Sequence, residues 1–252
     1  MNEFENEINK NGFIIIPSVL SADNVKKLWD ELDQAMKDDI SERPDVFDVG
    51  MVHNCFLRGK ALREILNNPV LDKYISQLLE EHYIMYAYQS SSLAPNSKNY
   101  GSRIHVDSPR FIQDYQTNIG VIFPLTNFTA ENGATWVLPR SHNTIDAPNE
   151  SEFEKESIQA VCNAGDMIIF LGRLWHKAGS NNTSTIRHSI TINFCRSYMR
   201  QRFDYPRLVN QETLEALNEQ GKRLIGMNVR VPVSLEEFYL PADQRLYKPN
   251  QG

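Results

Sequence analysis

At 252 residues, 41% apolar and 23% charged, the chain has the composition of an ordinary soluble globular protein, with enough length for one large core and some decoration. A net charge of −6 and the lack of any basic stripe interleaved with aromatics argue against a nucleic-acid partner, because neutralising a phosphate backbone needs clustered Lys and Arg. Cys55, Cys162 and Cys195 are odd in number and far apart, so they form neither a disulfide framework nor a CxxC motif. The acidic start has an apolar run, 13–16, too short for a signal peptide or a membrane span. The expectation is a cytoplasmic protein outside the membrane.

No repeat, low-complexity tract or Gly/Ser linker divides the chain, so 1–252 is expected to form a single domain: a helical buttress over 1–80, a β core over 81–200 and a C-terminal helix and tail over 201–252. Ser21 is placed to cap a helix in which Val25, Leu28, Leu32 and Met36 recur at helical spacing. A second helical region starts in "KALREILNN" and continues past Pro69 with Leu71, Ile75, Leu78 and Leu79 as its apolar stripe. From His82 the texture changes to short runs of β-branched and aromatic residues bounded by Asn, Gly, Pro and Ser. These are "HYIMYAYQSSSLAP", "QTNIGVIFPLTNF", "ATWVLP", "AGDMIIFLGRLWH" and "RHSITINFCRS". Helices first and strands after predict an α+β, mainly β arrangement, with helices covering one face of a largely antiparallel sandwich or barrel. The charge run "EFEKES" reads as a solvated lid or flank, and "QETLEALNEQGKRL" as one helix before an acidic-aromatic tail.

The chemistry begins at "RIHVDSPRF", 103–111. If this stretch is extended, period-two alternation puts Arg103, His105 and Asp107 on one face. A His-x-Asp pair arises by chance, so it carries weight only with a third ligand. His176 supplies one at the far end of an apolar strand, and Arg187 follows eleven residues later. With "GSNNTS" as the turn, a hairpin brings the two near each other. On the returning strand Arg187, Ser189, Thr191 and Asn193 form a polar face suited to a cavity wall, while His188, Ile190, Ile192 and Phe194 turn outward under the helices. Two imidazoles and one carboxylate form the facial triad that suits ferrous iron and leaves open positions for exchangeable ligands. A nearby arginine is a natural seat for a carboxylate, so a dicarboxylate 2-oxo acid would meet both needs. Zinc accepts the same donors, which keeps a hydrolase reading open but gives Arg187 no necessary role. A non-catalytic small-molecule-binding jelly-roll is the third reading.

The order HxD, "NGATWVLPRSH", "AGD…LWH…R", with the opening "NGFIIIPSVLS", resembles the phytanoyl-CoA dioxygenase family of Fe(II)/2-oxoglutarate oxygenases over roughly residues 10–200. The resemblance implies a double-stranded β-helix, the cupin-like jelly-roll, with N-terminal helices packed on one sheet. It makes His105, Asp107 and His176 the iron ligands and the catalytic centre, and Arg187 the partner of the distal carboxylate of 2-oxoglutarate. Gln89 matches a strand position that contacts the cosubstrate; Thr135 and Phe111 align with pocket positions. Dioxygen and 2-oxoglutarate would be consumed to give succinate, carbon dioxide and an oxidant for an unactivated C–H bond. Asp107 weighs against halogenation, since halogenating relatives replace this carboxylate with a small residue. Arg140 stands where the family usually has glycine, and His142 beside it reads as structural. Arg103, Arg110 and Phe111 are candidate substrate contacts, with Tyr86 and Tyr88 as further hydrogen-bonding groups. Trp136 and Trp175 flank the site but read as core, and His53, His82 and His188 as structural or surface residues. The expected partner is a small-molecule metabolite or natural-product intermediate, bound by a monomer or homodimer.

Overall fold

The computed structural model describes residues 2–248, apart from the side chain of Tyr100; the last four residues of the expected C-terminal tail lie outside the described residues. Helix α1 (Glu3–Asn11) starts with a reciprocal capping box between Asn2 and Glu5 and stops at Gly12, whose φ of 84° needs a residue without a side chain. Strand β1 (Phe13–Ile16) follows directly. Helix α2 (Ala22–Glu42) is capped by Ser21, whose hydroxyl accepts from the Asn24 amide, and it buries Leu28, Leu32 and Ala35. The second helical region is two helices. Helix α3 (Lys60–Glu64) tightens into a 3-10 turn at Ile65–Asn67, and α4 (Val70–Leu79) begins after Pro69. The break falls at Asn68, which is extended because proline disfavours the α conformation in the residue before it.

The strands are β2 (Ile84–Ser90), β3 (Asn118–Pro124), β4 (Trp136–Val137), β5 (Ile158–Gln159), β6 (Met167–Leu171), β7 (His176–Lys177) and β8 (Ser189–Cys195). They form an antiparallel five-stranded sheet, ordered β1-β6-β3-β8-β2, and a three-stranded sheet, β5-β4-β7. Together these are the two layers of a jelly-roll. Alternation assigns each residue of the larger sheet to a face. Ile14, Ile169, Val121, Ile192 and Tyr88 pack with α2, α3 and α4 into the main core, whereas Phe13, Ile15, Ile122, Ile168 and Phe170 meet Val137 and Leu174 between the sheets. The apolar runs in β3 and β6 are buried on both sides, which is why they lack polar alternation.

Three expectations are corrected. "GSNNTS" does not close a hairpin: β7 belongs to the small sheet and β8 to the large one, so the segment is an arch between layers. It is held by Asn181, whose amide donates to the carbonyls of Leu93, Ala94 and Thr185. "EFEKES" is helix α5 (Glu150–Glu156), anchored by buried Phe153 rather than wholly solvated. After α6 (Tyr205–Leu208), the single expected helix is two, α7 (Gln211–Ala216) and α8 (Glu219–Leu224), because Asn218 captures the Gly221 amide and starts a new cap. Helix α9 (Leu235–Phe238) lies in the tail. Among the described residues no helix is long and apolar enough to cross a membrane.

Candidate metal centre

His105 and His176 face each other across one isolated antiparallel bridge, with both N–H···O distances 3.0 Å. The extended stretch expected over 103–107 is limited to this bridge. Each imidazole Nδ1 lies against the backbone carbonyl two residues earlier, that of Arg103 at 2.8 Å for His105 and that of Leu174 at 2.9 Å for His176. A carbonyl only accepts, so both Nδ1 atoms carry the proton and both Nε2 atoms keep a free lone pair. Asp107 places Oδ1 3.7 Å from Nε2 of His105 and 3.9 Å from Nε2 of His176. The three donor atoms lie within 4.8 Å of one another, a spacing at which one cation can reach all of them. Burial holds His176 below the ordinary imidazole range, against the opposing pull of the Asp107 charge, and so keeps the ring neutral and ready to ligate.

The surroundings fix these groups. Asp107 Oδ2 accepts from Asn193 Nδ2 at 2.6 Å, so one carboxylate oxygen is oriented and the other left for ligation. The His176 ring rests on Phe170, with centroids 4.8 Å apart, and Phe170 lies over Gly120, where a Cβ would come within 2.0 Å of the ring. Only glycine on β3 leaves room for that floor. Beyond Asp107, the Ser108 amide donates to Gly172 at 2.8 Å. Buried Arg173 donates to Pro109 at 3.1 Å and to Thr144 at 2.7 Å and lies 5.8 Å from the Phe111 ring centroid. Phe111 is therefore half-buried beside Arg173, while Arg103 and Arg110 are exposed.

Arg187 is 1% exposed. It donates to the carbonyls of Gly133 at 3.0 Å and Ser91 at 2.6 Å, and it stacks 4.4 Å from the Phe128 ring centroid. Its Nε is buried without a partner, and among the described residues no carboxylate lies within 4.0 Å of it. Burial pushes this guanidinium down to about 9, the mark of a cation lacking its counter-ion. The carbonyls it holds belong to residues two after Gln89 and two before Thr135, so all three side chains border one region. Gln89 stands opposite Thr191 on the inner wall and its Oε1 accepts from Arg202. Thr135 lies two residues before Val137, which stands opposite His176.

Alternation on β8 marked Asn193 as wall-facing, which was the signal for its part in holding Asp107. Nothing local in the sequence marked Gly120, Phe170, Arg173 or Arg202, whose contacts join segments remote in the chain. Trp136 stands opposite Lys177, on the face away from His176. His188 is fully buried, between Ser92 at 2.7 Å and Asp33 at 3.4 Å, and His142 Nε2 lies 3.0 Å from the Asn9 carbonyl.

The family model for phytanoyl-CoA dioxygenase (PhyH) matches residues 8–189, from the end of α1 to the start of β8. The chain belongs to the phytanoyl-CoA dioxygenase family. Dioxygenase FrzG of Cladobotryum sp is 25% identical over 268 aligned residues, covering 91% of this chain and 86% of FrzG. Protein Rv1501 of Mycobacterium tuberculosis is 34% identical over 148 residues, 59% of this chain, and that match spans only 54% of Rv1501. Among solved structures, the epimerase SnoN in complex with Fe3+, alpha ketoglutarate and nogalamycin RO superposes with a TM-score of 0.62 at 17% identity, over 76% of this chain and 82% of SnoN. AviO1 from Streptomyces viridochromogenes gives 0.64 at 18% identity, over 77% and 94%. At these identities the superpositions establish the fold of this PhyH protein, the double-stranded β-helix.

Proposed function

We propose that this PhyH-family protein is an Fe(II)/2-oxoglutarate-dependent dioxygenase that hydroxylates an unactivated C–H bond of a small molecule. His105, Asp107 and His176 hold the iron, and Arg187, with Gln89 and Thr135, seats the cosubstrate. The observation that carries this reading is the pairing of two kinds of site: a His/Asp/His donor set within 4.8 Å, and a buried arginine with an unpartnered Nε and, among the described residues, no carboxylate of its own. The first suits iron with open positions, and the second suits the far carboxylate of a dicarboxylic 2-oxo acid. A zinc hydrolase needs only the first.

Bound iron and cosubstrate would supply the oxidising chemistry, in which dioxygen, 2-oxoglutarate and a substrate C–H bond give carbon dioxide, succinate and the hydroxylated substrate. The chain supplies position and dryness. The backbone bridge and the two Nδ1–H···O=C bonds set the imidazoles before any cation arrives, and Asn193 turns one Asp107 oxygen toward them. Phe170, Ile122 and Ile168 make an apolar floor that excludes water from one side. Arg187 gains a counter-ion on binding the cosubstrate, so binding relieves a desolvation cost already present in the fold. The SnoN complex, with both alpha ketoglutarate and Fe3+ on a related fold, supports this assignment. Asp107, being a carboxylate, leaves no coordination site for chloride and favours hydroxylation over halogenation. Anaerobic titration with Fe(II) and 2-oxoglutarate should give a visible charge-transfer band that Arg187→Ala weakens, and oxygenated turnover should release succinate. A colourless titration with no succinate refutes the proposal.

A further inference from the structure

A cavity of about 900 Å³ opens outside the sandwich, between the segment following β8 and the C-terminal arm of residues 226–247. Four arginines line it, Arg200, Arg202, Arg207 and Arg230, against two carboxylates, Asp204 and Glu237. In a chain of net charge −6 this local excess of cations runs against the whole. Arg207 pairs with Asp204 at 3.2 Å, and Glu237 accepts from the Val233 amide at 2.7 Å. The other three cations are not neutralised. Arg202 donates to the uncharged amide of Gln89, Arg230 donates to the Met227 carbonyl at 3.1 Å, and among the described residues none of Arg200, Arg202 and Arg230 has a carboxylate within 4.0 Å.

Apart from Ser197 and Gln201 the rest of the wall is mainly apolar, and part of it faces solvent. Tyr198 is 54%, Val231 81% and Val233 76% exposed. Clustered exposed apolar groups rimmed by polar ones mark binding surfaces, and guanidinium groups lacking carboxylates select anions. We propose that this cavity binds a small amphipathic organic anion, its apolar body against Tyr198, Val231 and Val233 and its anionic group held by Arg200, Arg202 and Arg230. Arg202 gives the site its direction. Its amide donates to the Tyr86 carbonyl at the sheet edge, and its guanidinium crosses to Gln89, which stands opposite Thr191 on the inner wall. Arg202 thus joins the cavity to the wall that carries Thr191 and, two residues on, Asn193, which holds Asp107. Given that link, the anion is the substrate, an assignment that rests on the function proposed above.

The test needs neither metal nor turnover. The probe is 8-anilinonaphthalene-1-sulfonate, compared with neutral N-phenyl-1-naphthylamine, on the metal-free full chain by fluorescence. Wild type should bind the sulfonate saturably at one equivalent and more tightly than the neutral probe. Each partly exposed cation contact is worth about threefold, so Arg200→Gln/Arg230→Gln should weaken the sulfonate about tenfold and leave the neutral probe unchanged. Val231→Ser/Val233→Ser, at exposed positions that leave the core intact, should weaken both probes. Equal affinity for the two probes in wild type, or sulfonate binding indifferent to either double substitution, overturns the proposal. Loss of the Fe(II)/2-oxoglutarate band with probe binding intact defeats the oxygenase reading instead, so the two failures are distinguishable.

Discussion

Replacing Asn193 tests whether the metal centre depends on a residue that ligates nothing. Asn193 is 7% exposed and donates to Asp107 Oδ2 at 2.6 Å, a hydrogen bond to a charged acceptor. Losing such a bond costs about 1.5–3 kcal/mol. Partners that orient metal ligands contribute about 10–100-fold in metal affinity, or about 1.4–2.7 kcal/mol. The two ranges overlap, so Asn193→Leu, which keeps volume and removes the donor, should weaken Fe(II) or Co(II) binding by one to two decades. The Asp107 side chain is 23% exposed, so water can take the vacated place in the metal-free protein and the cost to folding stays at about 1 kcal/mol. Anaerobic titration calorimetry reads the first quantity, and urea unfolding with the far-ultraviolet circular dichroism spectrum reads the second. Metal affinity within twofold of wild type, in a variant of unchanged spectrum, would show that Asp107 needs no help from β8.

Arg187→Met should raise the KM for 2-oxoglutarate at least a hundredfold by removing a buried charged contact, while thermal stability shifts little, because removing an unneutralised buried cation offsets the loss of its bonds to the Gly133 and Ser91 carbonyls; steady-state succinate release and a melting curve read the two. Gly120→Ala should destabilise the fold by about 1–3 kcal/mol and weaken metal binding as well, since its Cβ would push Phe170 off its place beneath His176; unchanged denaturant midpoint and affinity would remove Phe170 as a support. Burial depresses the His188 pKa below its ordinary 6.5 despite Asp33 nearby, so its contribution to stability is complete above about pH 6.5 and is lost as pH falls through that value, where only the unfolded chain takes up the proton. His188→Asn should therefore flatten the fall in unfolding free energy between pH 6.5 and 5 relative to wild type, and parallel curves would refute it.

Helix periodicity and the change in texture at His82 made the layers legible, because both depend on spacing that local sequence records. Chain crossings were not legible: His176 and Arg187 look like two arms of a hairpin, yet His176 lies in the small sheet while Arg187 bridges Leu93 and leads into β8 of the large one, because Asn181 ties the arch to 93–94. Boundaries moved where one side chain outbid periodicity, as at Asn218. At the candidate metal centre, His105, Asp107 and His176 were singled out by motif order, which survives any folding of the connections between them, and the fold brings their donor atoms within 4.8 Å of one another. Arg173 and Arg202 were missed because their importance lies in the carbonyl of Pro109 and the amide of Gln89, groups that leave no trace in their neighbouring sequence.

The single bridge between His105 and His176 has a mechanical consequence. Each histidine exchanges both backbone hydrogen bonds with the other, and His176 also stands opposite Val137 in the small sheet, so the spacing of the imidazoles is set by main chain, while the segment carrying Asp107 leaves the bridge at once and is kept in place by Ser108 and Arg173. A cation taken up there acts as a rivet through two separate stretches of chain, holding His105 and Asp107 of one to His176 of the other. Occupancy should therefore register in slowed deuterium uptake at the amides of His105, Ser108 and His176, so that the centre reports its own filling through the backbone.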